Sequence, residues 1–161
     1  EVISIYGYSE GGAALVTCIA ILNSSESDKE LKSLGIRSKD KKKILKAIQK
    51  GYVILDTPLK SIEELEAHYG ARKDLEVIGA RYKKNRMNPM DSIEKWKGLS
   101  LKVFLHFQMP DEVLSNRDDL KFIEKIKKYN KGPTEVLIGE DVGHKLPHLS
   151  FWEYYLEKIA A

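Results

Sequence analysis

The chain has 161 residues, enough for one domain with a substantial core. Hydrophobic residues make up 42% of it and charged residues 32%, which is typical of an ordinary globular protein. The 27 basic and 24 acidic residues are interspersed and leave a net charge of +3, so the charge pattern predicts neither a nucleic acid nor a membrane surface as partner. No apolar stretch is long enough to predict a membrane span.

Cys18 is the single cysteine and lies in an apolar run. One cysteine cannot form a disulfide within the chain, and the apolar neighbours predict a buried thiol. The compartment stays open, although the cysteine usage favours a reducing one such as the cytoplasm.

Apolar runs and turn residues alternate along the chain. In chain order they predict a strand at 2–6, a helix at 13–22, a helix at 38–50, a strand at 52–55, a helical excursion at 59–98, a strand at 101–107, a helix from 116, a strand at 134–138 and a last helix from 150. Strands that alternate with helices predict an α/β fold in which a parallel sheet has helices on both faces.

Four loops follow the carboxyl ends of the predicted strands, where open parallel sheets gather their chemistry. They are 7–12, 56–58, 108–115 and 139–148. In the first loop, Gly7 and Gly11 flank Ser9 between a strand and a helix. Glycines here allow strand and helix to approach closely, and a helix N-terminus favours developing negative charge. The spacing therefore predicts a sharp, strained turn that exposes the Ser9 hydroxyl.

A serine hydroxyl is a weak nucleophile that needs an imidazole as general base and a carboxylate to orient that imidazole. The same set of loops supplies both groups. His144 follows the fourth predicted strand, and Asp111 and Glu112 follow the third. The arrangement predicts Ser9 as nucleophile and His144 as base, with Asp111 and Glu112 as alternative acids. Asp56, at the end of the second strand, is a further alternative, and so are Asp118, Asp119 and Asp141.

These positions also have structural interpretations. Ser9 could cap the helix that follows it, and His106, inside a strand, is predicted to be a packed core histidine. His148 lies four residues after His144, the spacing of two metal ligands on a helix, but Pro147 interrupts that helix and no further ligand supports a zinc site. The aromatic residues at 151–155 predict core packing of the last helix.

Three segments resemble the α/β-hydrolase family. VISIYGYSEGGAAL is similar to its nucleophile elbow, LKVFLHFQMPDEVLS to its acid strand and turn, and TEVLIGEDVGH to its last strand and histidine loop. The acid turn differs, because Gln108-Met109-Pro110 stands where family members commonly have a glycine, and this leaves the choice between Asp111 and Glu112 open. The resemblance starts at the elbow strand, so residues 1–161 are expected to form the C-terminal part of the fold.

The resemblance implies a serine hydrolase that cleaves an ester, or a peptide or amide bond, through an acyl-enzyme on Ser9. His144 would act as general base and then general acid, Asp111 would orient it, and the backbone N–H of Glu10 would be one oxyanion donor. No cofactor or metal is expected. The excursion at 59–98 would form a cap that shapes specificity for a small ester or peptide substrate.

In the family, further strands come before the elbow, and a loop among them supplies the second oxyanion donor. We therefore expect a second chain or an N-terminal segment to complete the sheet, since four parallel strands leave an unpaired edge. An alternative of a different class is a non-catalytic α/β-hydrolase-like module for binding or assembly, in which the triad is a relic.

Overall fold

A computed structural model of the chain describes residues 1–61, 63–64, 88–109, 111, 113–114, 116–140 and 149–160. Its strands are β1 (Ile5–Tyr8), β2 (Tyr52–Asp56), β3 (Lys102–Gln108) and β4 (Thr134–Gly139). Its α-helices are α1 (Glu10–Asn23), α2 (Asp28–Ser33), α3 (Ser38–Lys50), α4 (Pro89–Ser92), α5 (Asp119–Tyr129) and α6 (Leu149–Ala160). Short 3-10 turns occupy Ser25–Ser27, Ile93–Trp96 and Asn116–Asp118. No helix in the described part could cross a bilayer.

The four strands form one parallel sheet in the order β1-β2-β3-β4. Because each strand lies beside the next one along the chain, the loops that follow β1, β2 and β3 emerge side by side at the same edge. The register places Tyr8 beside Asp56, and Asp56 beside His106. The predicted parallel sheet is confirmed.

The main core lies on one face of the sheet, beneath α1, α3 and α5. Helix α1 contributes Val16 and Ile19, while α5 contributes Phe122 and Ile126, and all four are buried. Trp96 is fully buried in the same layer, where its indole N–H donates to the carbonyl of Val16 at 3.1 Å. Burial of each such side chain contributes roughly 2 kcal/mol, so this layer holds the helices on the sheet.

A smaller aromatic layer covers the opposite face, beneath α6. Tyr155 of α6 stands edge-on to Phe104 of β3 with ring centroids 5.6 Å apart, and Tyr52 of β2 is 5.3 Å from Phe104. Trp152 of α6 reaches Tyr6 of β1 at 5.0 Å. The predicted packing role of the last helix is confirmed for its described aromatic side chains, and the sheet has helices on both faces.

One detail differs from the sequence predictions. Cys18 is exposed on α1, so the predicted buried thiol is wrong. Helix α1 is apolar around most of its circumference, and a uniformly apolar helix does not reveal from sequence which side meets the core. At the start of α3, Ser38 is the first helical residue and Arg37 is the cap, because the Asp40 carboxylate accepts from the Arg37 backbone N–H at 3.1 Å.

The predicted excursion at 59–98 is described only at 59–61, 63–64 and 88–98. The Ser61 hydroxyl accepts from the backbone N–H of Glu64, which is one half of a capping box. Pro89–Ser92 and Ile93–Trp96 pack against α1, and Ile93 is fully buried in the main core. The described residues at 89–96 are therefore part of the body of the fold, and residues 65–87 of the predicted cap lie outside the described ranges.

Candidate active site

Ser9 lies between the last residue of β1 and the first residue of α1. Its backbone has φ 50° and ψ −118°, and residues other than glycine rarely adopt a positive φ. Ser9 occupies the N-cap position of α1, but its side chain makes no capping hydrogen bond to the helix. The turn leaves a half-buried hydroxyl at the N-terminus of a 14-residue helix, where backbone N–H groups favour negative charge.

Glycines allow β1 and α1 to approach this closely. A Cβ on Gly7 would lie 2.6 Å from the carbonyl oxygen of Gly11, and a Cβ on Gly12 would lie 2.8 Å from Cβ of Pro58. A Cβ on Gly11 would meet nothing within 4 Å in the described part of the chain. The predicted close approach is confirmed for Gly7 and wrong for Gly11, since Gly12 is the helix residue without room for a side chain.

The Ser9 turn is tied by its backbone to the loop that follows β2. The N–H of Ser9 donates to the carbonyl of Asp56 at 3.1 Å, and the carbonyl of Ser9 accepts from the N–H of Leu59 at 3.0 Å. Thr57, within the same loop, also has a positive φ, of 41°, and its N–H donates to the carbonyl of His106 at 2.8 Å. Two strained residues thus lie in one hydrogen-bonded unit.

Asp111 follows β3 and reaches the same edge of the sheet. One of its carboxylate oxygens accepts from the N–H groups of Val113 and Leu114, both at 2.8 Å. Its own N–H donates to the side chain of Asn116 at 3.3 Å. These bonds fix the orientation of a half-buried carboxylate two loops away from Ser9. The described sheet thereby brings the ends of β1 and β3 to one edge, as the sequence predicts.

His144 and Glu112 both lie outside the described residues, so their roles stay predictions. Glu10 is the first residue of α1, which puts its backbone N–H in the first turn of the helix, among the amides that have no partner within the helix. The Glu10 side chain is exposed.

Sequence reasoning missed a buried pair of side chains beneath this edge. Nδ1 of His106 lies 2.7 Å from Oδ1 of Asp56, and both side chains are fully buried. The phenol of Tyr6 donates to the other carboxylate oxygen at 2.9 Å. Burial, and then the nearby Asp56 carboxylate, raise the pKa of Tyr6 well above its usual value. The prediction of His106 as a core histidine is confirmed, and only the strand register could have indicated its partner.

A second buried ionic cluster, also missed, connects the start of the excursion to the acid loop. Nζ of Lys60 lies 2.7 Å from Glu64 and 2.6 Å from Asp119, and at most 9% of each side chain is exposed. Asn116 donates to both Asp119 and the carbonyl of Gln108 at 2.9 Å, so this cluster continues into the Asp111 loop. Burial, against the opposing effect of Lys60, raises the pKa of Glu64. In the sequence, this cluster is indicated by the spacing of four residues between Lys60 and Glu64.

Comparisons with known proteins agree with this architecture. No protein-family model matches the chain, and no curated protein matches it by sequence. Solved structures of esterases do match: a lipase/esterase of Lactobacillus plantarum (14% identity, TM-score 0.60), an esterase of Pyrococcus furiosus (13%, 0.54) and acetyl xylan esterase 1 of a Thermoanaerobacterium species (14%, 0.51). These matches cover 98%, 98% and 96% of this chain, and 56%, 51% and 43% of the respective esterases.

The described sheet and helices have the α/β-hydrolase fold. The chain spans about half the length of the esterases it matches, which is consistent with the C-terminal half that the sequence resemblance implies. At 12–16% identity the likeness concerns the fold. Within the described ranges, no group of three or more His, Cys, Asp or Glu side chains is arranged to hold a metal ion.

Proposed function

We propose that this protein is a serine hydrolase that cleaves a carboxylic ester, or a related peptide or amide bond, through an acyl-enzyme on Ser9. The observation that carries the proposal is the positive φ of Ser9 at a strand-to-helix turn whose side chain is not used as a helix cap. Strain of this kind persists where the surrounding structure enforces it, and it is concentrated at active sites. The esterase fold of the neighbouring structures adds support.

In this mechanism His144 removes the proton from Ser9 as the hydroxyl attacks the acyl carbon, and then protonates the leaving group. Asp111 orients the imidazole, and the two backbone amides on its carboxylate keep that orientation fixed. The backbone N–H of Glu10 is one donor to the oxyanion. Water then attacks the acyl-enzyme: His144 takes a proton from the water and returns it to the Ser9 oxygen as the acid product leaves. The cap over the acyl group would come from the part of the excursion that lies outside the described ranges, since the described residues at 89–96 pack in the main core.

Labelling with a fluorophosphonate tests the proposal, because this reagent forms a covalent bond with an activated serine. We expect one label per full-length protein, located at Ser9 by peptide mass analysis, and hydrolysis of short-chain aryl esters. Ser9→Ala should abolish both. The matched control is Ser33→Ala, which removes an exposed hydroxyl from α2 and should leave both unchanged.

A folded full-length protein that takes no label would overturn the hydrolase and favour the non-catalytic module. Label that persists in Ser9→Ala would reject Ser9 as the nucleophile. His144→Ala and Asp111→Ala test the other two roles, and Glu112→Ala is the control that decides between the two candidate acids.

We also infer that a further segment or a second chain covers the surface made of the β1 edge and the outer side of α1. Among the described strands, β1 pairs only with β2. Tyr6 on β1 is 37% exposed, and the outer side of α1 presents Gly11, Ala14 and Cys18 to solvent. An apolar helix side beside an unpaired strand edge is a surface that proteins usually cover.

Thiol labelling of Cys18 tests this coverage. We expect Cys18 to react slowly in the native full-length protein or its assembly, and rapidly once that assembly is dissociated or unfolded. Leu120→Cys provides the control, because Leu120 is 72% exposed on α5 and a thiol there should react rapidly throughout. Equal native reactivity at both positions would show that the α1 surface stays uncovered.

A further inference from the structure

The Asp56–His106 pair lies directly beneath the proposed nucleophile turn and is separate from the Ser9, His144 and Asp111 of the proposed triad. Its side chains are fully buried, and the closest atoms are 2.7 Å apart. With the proton on Nδ1, the imidazole donates to Asp56 and can accept from the Gln108 amide, 3.3 Å from Nε2. Gly139 of β4 closes the far side, because a Cβ there would lie 2.9 Å from Nε2 of His106. The imidazole is enclosed on several sides and cannot reach a substrate.

The two residues of this pair also hold the strained backbone through their own main-chain groups. The carbonyl of Asp56 accepts from Ser9, and the carbonyl of His106 accepts from Thr57. Ser9 and Thr57 are the two non-glycine residues of the described chain that have a positive φ. Each strained residue is therefore hydrogen-bonded to one member of the buried pair.

From this juxtaposition we propose that Asp56 and His106 are positioning residues for the Ser9 turn, and the inference rests on the proposed serine hydrolase. Their side-chain bond fixes the ends of β2 and β3 against each other, and this fixes the carbonyls that hold Ser9 and Thr57. A buried bond between a carboxylate and an imidazole gives little net stability compared with apolar residues of similar size, because both groups lose their hydration. Its contribution here is the geometry of the turn that presents the nucleophile.

Variants at His106 test the proposal in the full-length protein. His106→Leu removes the donor to Asp56, whereas His106→Asn keeps an amide N–H near the position of Nδ1. We expect His106→Leu to lower kcat and the rate of fluorophosphonate labelling by about 100-fold, because displacements of about 1 Å cost this much. KM should change little, and His106→Asn should recover most of the loss.

A matched control is Asn130→Asp, which alters a buried polar side chain at the opposite end of β3. It should lower the unfolding midpoint while the labelling rate stays at the wild-type value. Labelling of folded His106→Leu at the wild-type rate would overturn the proposal, as would His106→Asn behaving like His106→Leu. If His106→Leu does not fold, His106→Phe, which keeps a ring but removes the bond to Asp56, decides, and an unchanged labelling rate overturns the proposal.

Amide hydrogen exchange separates this inference from the hydrolase itself. The N–H groups of Ser9 and Thr57 should exchange faster in His106→Leu, while the N–H of Leu101, bonded to Asn130, keeps its protection. A wild-type protein that takes no label contradicts the proposed function. Unchanged exchange at Ser9 and Thr57 contradicts the positioning role, whichever way the labelling turns out.

Discussion

The two ends of the sheet are built from different interactions. At the amino ends of the strands, neutral side chains satisfy the backbone: Asn130 bonds both the N–H and the carbonyl of Leu101, and Ser4 accepts from the N–H of Tyr52. At the carboxyl ends, buried side chains bond to one another, as in the Asp56–His106 pair and the Lys60 cluster. Among the residues that the structure describes, both non-glycine residues with a positive φ lie at this second end.

The difference separates two tasks within one sheet. The amino end contributes stability, because neutral side chains there satisfy the N–H and carbonyl of Leu101 and the N–H of Tyr52. In our proposal, the buried side-chain bonds of the carboxyl end add little net stability and instead hold the strained conformations of Ser9 and Thr57. Substitutions at the amino end should therefore change unfolding alone, whereas those at the carboxyl end should also change chemistry at Ser9.

The largest effect is expected at Gly7. In Gly7→Ala the new methyl group would lie 2.6 Å from a backbone oxygen of Gly11, so β1 and α1 must separate. We expect a loss of about 4 kcal/mol in the free energy of unfolding, or failure to fold. Gly11→Ala is the matched control, and it should leave stability unchanged or raise it by about 0.5 kcal/mol, since alanine favours helix. Equal urea midpoints for the two variants would contradict the assignment of the close contact to Gly7.

Asn130→Ala tests the amino end. It leaves the buried N–H and carbonyl of Leu101 without their side-chain partner and should cost about 3 kcal/mol of unfolding free energy. The rate at which a fluorophosphonate labels Ser9 should stay at the wild-type value at a temperature where both proteins are folded. A parallel loss of labelling would break the proposed separation of the two ends.

A pH-dependent effect is expected from Glu64 at the carboxyl end. Burial raises its pKa above the ordinary value of 4.5, so the folded protein holds this proton more tightly than the unfolded chain does. Its stabilising contribution is present at low pH and is lost as the pH rises through the folded-state pKa. The unfolding free energy of the wild type, relative to Glu64→Gln, should therefore fall as the pH rises above the ordinary pKa of 4.5 and through the folded-state pKa. Urea titrations at several pH values check the sign, and a difference that rises with pH would refute it.

The smallest effect is expected on the surface. The ion pair between Lys121 and Asp118 is 3.0 Å long, but 68% of the lysine side chain is exposed. Lys121→Ala should therefore change the free energy of unfolding by no more than about 0.5 kcal/mol. A loss comparable to that of Asn130→Ala would mean that surface charge contributes more to this fold than its exposure suggests.

The sequence predicts the elements of this fold well and their contacts less well. Strand β2 and helix α3 lie within one residue of their predicted bounds, because Gly51 separates two runs of different periodicity. The buried side of α1 could not be predicted, since its apolar residues occur on all sides and Cys18 is exposed. Periodicity identifies a helix but identifies its inner face only when polar residues occupy the other one.

In the candidate site, too, the positions of some residues are predictable from the sequence and the contacts of others are not. Ser9 and Asp111 follow strands whose ends are recognisable, so their common edge is predictable from the parallel order. The bond between Asp56 and His106 depends on the register of β2 against β3, and Lys60 resembles any exposed lysine until the fold buries it. Ser9 and Asp111 can thus be predicted from single positions along the chain. The Asp56–His106 bond and the Lys60 cluster depend on contacts between residues that are distant in sequence.

The two tryptophans of the chain lie on opposite faces of the sheet. Trp96 is fully buried in the main core, and Trp152 is half-buried in the aromatic layer of α6. Each therefore acts as an optical reporter for its own layer. In Trp152→Phe the remaining fluorescence reports on the main core, and in Trp96→Phe it reports on the aromatic layer. Comparing the two unfolding curves therefore shows which layer unfolds first.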